Sequence, residues 1–174
     1  MSEIITQANT SQAALIARLV NQAYRPASDT RGWTHEADLV AGDRTSAEQV
    51  ALQISPRSPV LVALRNGDVI ACVQIIHDGP DCWIGMLATL PSEQNAGLGK
   101  KMLSAAEAYA IDHFMPKRLM MSVLTSRPEL LSFYQRRGYQ PTGNVTEYPV
   151  DAGVGEPLIS NLQVIELSKD PFVF

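Results

Sequence analysis

The spacing of apolar residues changes several times along the 174-residue chain, and each change marks an element. Residues 3–8 form a short apolar run that reads as a first strand. From Ser11 to Tyr24, the positions Leu15, Ile16, Leu19, Val20 and Ala23 recur at helical spacing. The next stretch, "RPASDTRGWTHEADLVAGDRTS", has no such period. It holds Pro26, Gly32 and Gly42, mixed charge and one aromatic residue, Trp33, and reads as a long excursion with a short helix near residues 36–40. Excursions of that length are uncommon inside compact domains and are often functional. "TSAEQVALQI" then resumes helical spacing, with Ser46 placed to cap it.

A β-rich pattern takes over after Pro59. "VLVAL" and "VIACVQII" flank "RNGD", and an Asn-Gly pair between two such runs is a strong hairpin signal. "HDGPD" makes a second turn, and "CWIGMLATL" a third strand. A helix follows over residues 96–114. Leu98, Met102, Ala105 and Tyr109 share one face, Leu103, Ala106 and Ala110 lie beside them, and Pro116 stops it. "RLMMSVL" is a strand and "LLSFYQRR" a short helix closed by Gly138. Ser126 and Glu129 have capping-box spacing ahead of that helix, although Pro128 draws Arg127 away from helical geometry. "YQPTGNVTEYPV" and "LISNLQVIEL" read as two last strands. The order β-α-α-β-β-β-α-β-α-β-β predicts one α+β domain over residues 1–174 with a mixed sheet, without repeats, linkers or low-complexity segments.

Composition narrows the function more than the fold. Apolar residues make up 45% and charged residues 18%, which is globular rather than disordered. A net charge of −4 argues against nucleic acid as a partner. No apolar run approaches the ~18 residues of a membrane span. "MSEIITQANT" lacks the basic start and apolar core of a signal peptide. Cys72 and Cys82 have neither disulfide-framework nor metal-ligand spacing and read as buried thiols. The expectation is a cytoplasmic protein without metal.

"QNAGLGKKML", residues 94–103, carries the sharpest chemistry. N–H groups in the first turn of a helix lack internal partners, and the helix dipole adds positive character there. Glycines at 97 and 99 would let an anion such as a phosphate approach those groups, and Lys100 and Lys101 add charge nearby. A lone G-x-G equally fits an ordinary turn entering a helix. The context is more specific. A strand, then "LPSEQNAGLGKKML", then a strand, then "RPELLSFYQRRGY" resembles the GNAT superfamily of N-acetyltransferases. Gln94, Gly97 and Gly99 match that family's [RQ]-x-x-G-x-[GA] signature, and "FYQRRGY" at 133–139 matches its second motif. The resemblance runs from the first strand through Tyr139.

The resemblance implies a mixed, mostly antiparallel sheet of about seven strands flanked by about four helices. It implies acetyl-CoA as co-substrate, its pyrophosphate held by Gln94, Asn95, Ala96, Gly97, Leu98, Gly99 and Lys100. The strand at Met86, Leu87 and Ala88 would lie along the pantetheine arm, and Tyr134 would protonate the leaving thiolate. The chain departs from the pattern twice. Arg127 stands where relatives often have an asparagine that contacts the coenzyme, so it is either a surface residue or a phosphate contact. "CWIGMLATL" has no acidic residue where many relatives carry a glutamate base.

The resemblance also puts the acceptor side at the segment between the first two helices, where "GWTHEAD" (32–38) lies. Trp33 would form a wall, and Glu36 or Asp38 would attract an ammonium, with Glu36 the candidate base. The bland alternative is a loop pinned by a buried Trp with solvated charges. Glu147 and Tyr148 are further pocket candidates. His77 beside Asp78 reads as a surface turn histidine, since no nucleophile motif accompanies it. The leading expectation is acetyl transfer to a primary amine of a small molecule or peptide by direct attack. The alternative is a non-catalytic acyl-CoA-binding or interaction domain. Acyl chain length is open, and so is a homodimer.

Overall fold

A computed structural model describes residues 2–27, 29 and 31–173. The strands are β1 (Ile4–Gln7), β2 (Val40–Ala41), β3 (Val60–Arg65), β4 (Asp68–Asp78), β5 (Asp81–Thr89), β6 (Arg118–Leu124), β7 (Gln140–Glu147), β8 (Glu156–Pro157) and β9 (Gln163–Lys169). The helices are α1 (Ala13–Tyr24), α2 (Ala47–Gln53), α3 (Leu98–Phe114) and α4 (Pro128–Gln135). Seven strands form one sheet in the order β1-β3-β4-β5-β6-β9-β7, and β2 pairs with β8 apart from it. All sheet pairings are antiparallel except β5 with β6. Seven sheet strands and four helices match the α+β expectation; β2 and β8 are short additions from stretches read as loop.

Local chemistry explains most boundaries. Ser46 caps α2 and exchanges bonds with Gln49 in a capping box, as its position predicted. Asn66 and Gly67 both adopt left-handed backbone angles, which the β3–β4 hairpin turn requires. Two expectations fail. Residues 36–40 form a turn rather than a helix, in which the N–H groups of Leu39 and Val40 both reach the Glu36 carbonyl before the chain enters β2. The cap of α4 is Arg127, with no side-chain hydrogen bond, so Ser126 does not form a capping box. Pro128 supplies the entry instead, because its fixed φ suits the first helical position.

The sheet separates two cores. Leu98, Met102, Leu103, Ala106 and Ala110 of α3 and Tyr134 of α4 pack on one face with Val73 and Ile75 of β4. Ile16, Leu19 and Val20 of α1 and Val50 of α2 pack on the other, with Val62 and Cys72.

β5 changes sides partway along. Its Cys82 and Ile84 belong to the α3 core, whereas Met86 and Ala88, of the same parity, belong to the α1 core. A bulge causes the switch. Cys72 pairs with Ala88 and Gln74 with Gly85, so Met86 and Leu87 together oppose Val73. Met86 takes a left-handed φ of 51° there, uncommon for a residue with a side chain. β5 pairs with β6 only from Asp81 to Trp83. Beyond that point the strands part, and the bulged half of β5 presents an edge with no strand partner.

Candidate active site

Two cavities open where β5 and β6 part. The first, about 410 Å³, lies over the start of α3 and the end of α4. The second, about 470 Å³, lies between β4–β5, β6, the end of β7 and the segment around Glu36. Tyr24, Leu87, Arg127, Leu130 and Tyr134 line both, so the cavities meet at these residues.

The first cavity gathers unpaired backbone donors and positive charge. The first bond within α3 is donated by Lys101 to the Gly97 carbonyl, which leaves the N–H groups of residues 98–100 without helical acceptors. Gly97 enters the helix at φ 81°, and a Cβ there would meet nothing within 4 Å, so conformation rather than crowding calls for glycine. Among the described residues four cations line this cavity, Lys100, Arg127, Arg136 and Arg137, and no carboxylate does. That local balance opposes the net negative charge of the chain. Glu93, the acid within the loop, is engaged by Arg65 at 2.9 Å.

The residues expected to hold a coenzyme divide. Leu87, Ala88, Gln94, Asn95, Gly97, Gly99, Lys100 and Arg127 line the first cavity. Met86 lines the second. Leu98 turns its side chain into the core and offers only backbone, and Ala96 lines neither cavity. Lys101 points away and pairs with Glu3 at 2.5 Å, so of the two lysines only Lys100 serves the site. The Gln94 side chain accepts from the Thr34 N–H at 3.1 Å and donates to the Thr89 carbonyl at 3.3 Å, tying the excursion to the end of β5.

Tyr134 sits at the junction, 8% exposed, edge-on to Phe133 at 5.2 Å and to Tyr139 at 6.1 Å. Burial raises its pKa, Tyr24 raises it further, and Arg127 and Arg137 oppose the shift. The phenol therefore keeps its proton at neutral pH and can donate it. None of the hydrogen bonds among the described residues uses its hydroxyl.

The excursion supplies both cavities, in different roles from those expected. Trp33 lines the first cavity, 43% exposed and tilted on Phe133 at 6.2 Å, so it is neither buried nor a wall of the second. Glu36 lines the second but is 5% exposed. Arg25 Nε and Nη2 donate to its Oε1 at 3.0 and 2.6 Å, and Arg127 Nη1 donates to its Oε2 at 3.3 Å. Both carboxylate oxygens are thus engaged by guanidinium groups, so Glu36 itself is not free to draw in an ammonium. Asp38 pairs with Arg31 at the surface and lines neither cavity. Glu147 and Tyr148 do line the second.

Arg127 is not a surface residue. It is 5% exposed, and its Nη2 donates to Thr34 Oγ1 at 2.6 Å. His77 lies within β4 and stacks on Phe114 at 4.6 Å. Cys72 is buried, its thiol pushed up to about 12 by desolvation.

Sequence reasoning missed four residues. Arg136 and Arg137 lay inside the quoted "FYQRRGY", three and four positions after Phe133, a spacing that stacks side chains on one helical face. Arg137 indeed lies over the Phe133 ring at 3.6 Å and donates to the Phe133 carbonyl at 2.6 Å. Arg25 and Arg44 gave no local signal, since their partners are remote in the chain.

Comparison with known proteins bears on this geometry. The model of the Acetyltransferase (GNAT) family matches residues 18–139. The ribosomal-protein-S18-alanine N-acetyltransferase of Escherichia coli superposes with a TM-score of 0.74 at 14% identity, covering 99% of this chain and 96% of that one. A GNAT family acetyltransferase from Elizabethkingia anophelis, solved with acetyl-CoA bound, gives 0.70 at 18% identity, covering 97% of each chain. At these identities the likeness is one of fold. The uncharacterized protein YdhI of Bacillus subtilis (strain 168) is 32% identical over 76 residues, which are 44% of this chain and 46% of that protein, so the match spans about half the length of each.

Proposed function

The chain belongs to the GNAT acetyltransferase family, and from that premise we propose that it moves an acetyl group from acetyl-CoA to a primary amine of a small molecule or peptide. The observation that carries this reading is the meeting of two cavities at Tyr134: one lined by four cations and no acid, the other by mixed side chains. When bound, acetyl-CoA supplies the acetyl group as a thioester. The N–H groups at the start of α3, with Lys100, Arg136 and Arg137, hold its phosphates in this reading. The free edge of β5 beyond Trp83 offers backbone donors and acceptors to its amide-bearing arm.

The amine enters from the second cavity and attacks the carbonyl carbon directly. The carbon–nitrogen bond forms, the carbon–sulfur bond breaks, and the Tyr134 hydroxyl gives its proton to the departing sulfur. The proton lost by the amine restores the phenol through solvent, so one amide and one thiol leave for each amine and thioester. Glu36 acts through Arg127 as a positioning residue: the buried pair fixes a guanidinium that lines both cavities.

The test is thiol release from acetyl-CoA across an amine panel, with products identified by mass. Release that depends on the amine, with an N-acetylated product, is the expected result. Coenzyme binding by calorimetry with no amine-dependent release from any panel member would support the non-catalytic binding domain instead.

A further inference from the structure

The second cavity has a charge balance that selects among amines. Four charged residues line it: Glu36, Glu147, Arg44 and Arg127. Glu36 is held by Arg25 and Arg127 together, and Glu129 stands 3.7 Å from Arg127 Nε, so two guanidinium groups meet two carboxylates and the cluster is balanced. Arg127 Nε is buried and makes no hydrogen bond. Arg44, by contrast, has no carboxylate within ion-pair distance among the described residues. Its guanidinium carbon lies 5.6 Å from the centre of the Tyr24 ring, and that ring lines both cavities. Glu147 is exposed on an edge strand, where solvent screens it.

We propose that Arg44 is a specificity residue that binds a carboxylate of the acceptor, so that the preferred substrates are amines carrying an anionic group close to the reacting nitrogen rather than polyamines. The inference rests on the acetyl-transfer reading of the same site. Arg44 is held over Tyr24 at a residue shared by both cavities, so a carboxylate on it sits beside the junction where the acetyl group would be delivered. A planar guanidinium with free donors matches a carboxylate in a two-bond fork. The Arg127 Nε, buried and without a hydrogen bond, adds a second donor for an anion. A site built around an anion discriminates strongly against an analogue lacking it, because its desolvated donors then go unpaired.

Matched substrates test this: L-phenylalanine, its amide and 2-phenylethylamine, with L-glutamine, L-glutaminamide and spermidine as a polar series, each against acetyl-CoA. Wild-type kcat/KM for each acid should exceed that of its uncharged or cationic counterpart by at least ten-fold. In Arg44→Gln that ratio should fall towards one, chiefly through the KM of the acid, and Arg44→Lys should restore part of it. Calorimetry with acetyl-CoA and a thermal melt on each variant show whether the coenzyme side and the fold are intact. Acetylation of amides, phenylethylamine or spermidine as efficiently as the acids, or an acid preference that survives Arg44→Gln, would overturn the inference while leaving acetyl transfer standing. Absence of acetylation from the whole set, with coenzyme bound, would overturn both.

Discussion

The two cavities that meet at Tyr134 are made in different ways. The first is assembled mainly from one loop entering α3, one helix end and one bulged strand, closed by Tyr24, Trp33 and Thr34, with backbone N–H groups and long cationic side chains facing the space. The second draws side chains from many separate parts of the chain, from Tyr24 to Val164, and includes members of a buried ion-pair cluster. Backbone donors at a helix start serve any ligand with the right phosphates, so such a site depends little on side-chain identity. A cavity assembled from scattered side chains can change its ligand by single substitutions. The difference teaches that, under the proposed function, coenzyme recognition and acceptor choice are separable, with Tyr24, Leu87, Arg127, Leu130 and Tyr134 as the shared boundary.

That contrast breaks most sharply at Glu36. Glu36→Ala leaves buried Arg25 without a counter-ion and Arg127 with only Glu129 at 3.7 Å, which should cost about 3–5 kcal/mol and lower Tm by roughly 10 °C for a chain of this length. Asp38→Ala, whose pair with Arg31 is exposed, should cost less than ~1 kcal/mol. Thermal melts of the two variants compare a buried and a surface carboxylate two residues apart. Equal, small losses would show that the Arg25–Glu36–Arg127 cluster is not what holds the second cavity's floor.

On the other side, Gly97→Asp puts a carboxylate at the anion site without a steric clash, since nothing lies within 4 Å of its Cβ. Calorimetry should show acetyl-CoA binding weakened at least ten-fold, on the order of 1.4 kcal/mol, and a thermal melt shows whether the variant stays folded despite the strain of a side chain at φ 81°. Unchanged affinity in the folded variant would remove the coenzyme assignment.

A smaller effect separates the lysines. Lys100→Ala should weaken coenzyme binding several-fold, more at low salt than at high, whereas Lys101→Ala, which removes only a surface pair with Glu3, should leave it unchanged. Equal losses from both would mean that total charge, not the cavity lining, attracts the ligand. The smallest expected effect is at Cys72. Burial keeps it a thiol, with a pKa of about 12, so a thiol reagent at pH 8 should leave it unmodified in the folded protein and react once it unfolds. Rapid modification of the native protein, mapped by mass to Cys72, would show that this core opens.

The same division decides what could be read in the sequence. Hairpin, helix and cap signals are local, so the sheet strands, α1, α2 and α3, the Ser46 cap and the Asn66–Gly67 turn followed from neighbouring residues. The glycine loop is local too, and most of its residues gather around one cavity. Glu36 looked like a free acid because its partners stand 11 and 91 positions away. Arg127 reads from the sequence as either a surface residue or a phosphate contact for the same reason. The Trp33 side of the excursion was misplaced because Gln94, 60 positions beyond Thr34, ties that segment to the coenzyme cavity. The bulge at Met86 leaves no sequence mark, since no glycine stands at the left-handed position.

The central claim is that the two cavities deliver their ligands to one hydroxyl. Kinetics of Tyr134→Phe with acetyl-CoA and the best amine of the panel test it most directly, since the substitution keeps the ring packed against Phe133 and Tyr139 and removes only the proton donor. The account predicts turnover lower by roughly 10²-fold or more, with coenzyme affinity and amine KM nearly unchanged. Wild-type turnover in the folded variant would contradict it and return Tyr134 to a packing role.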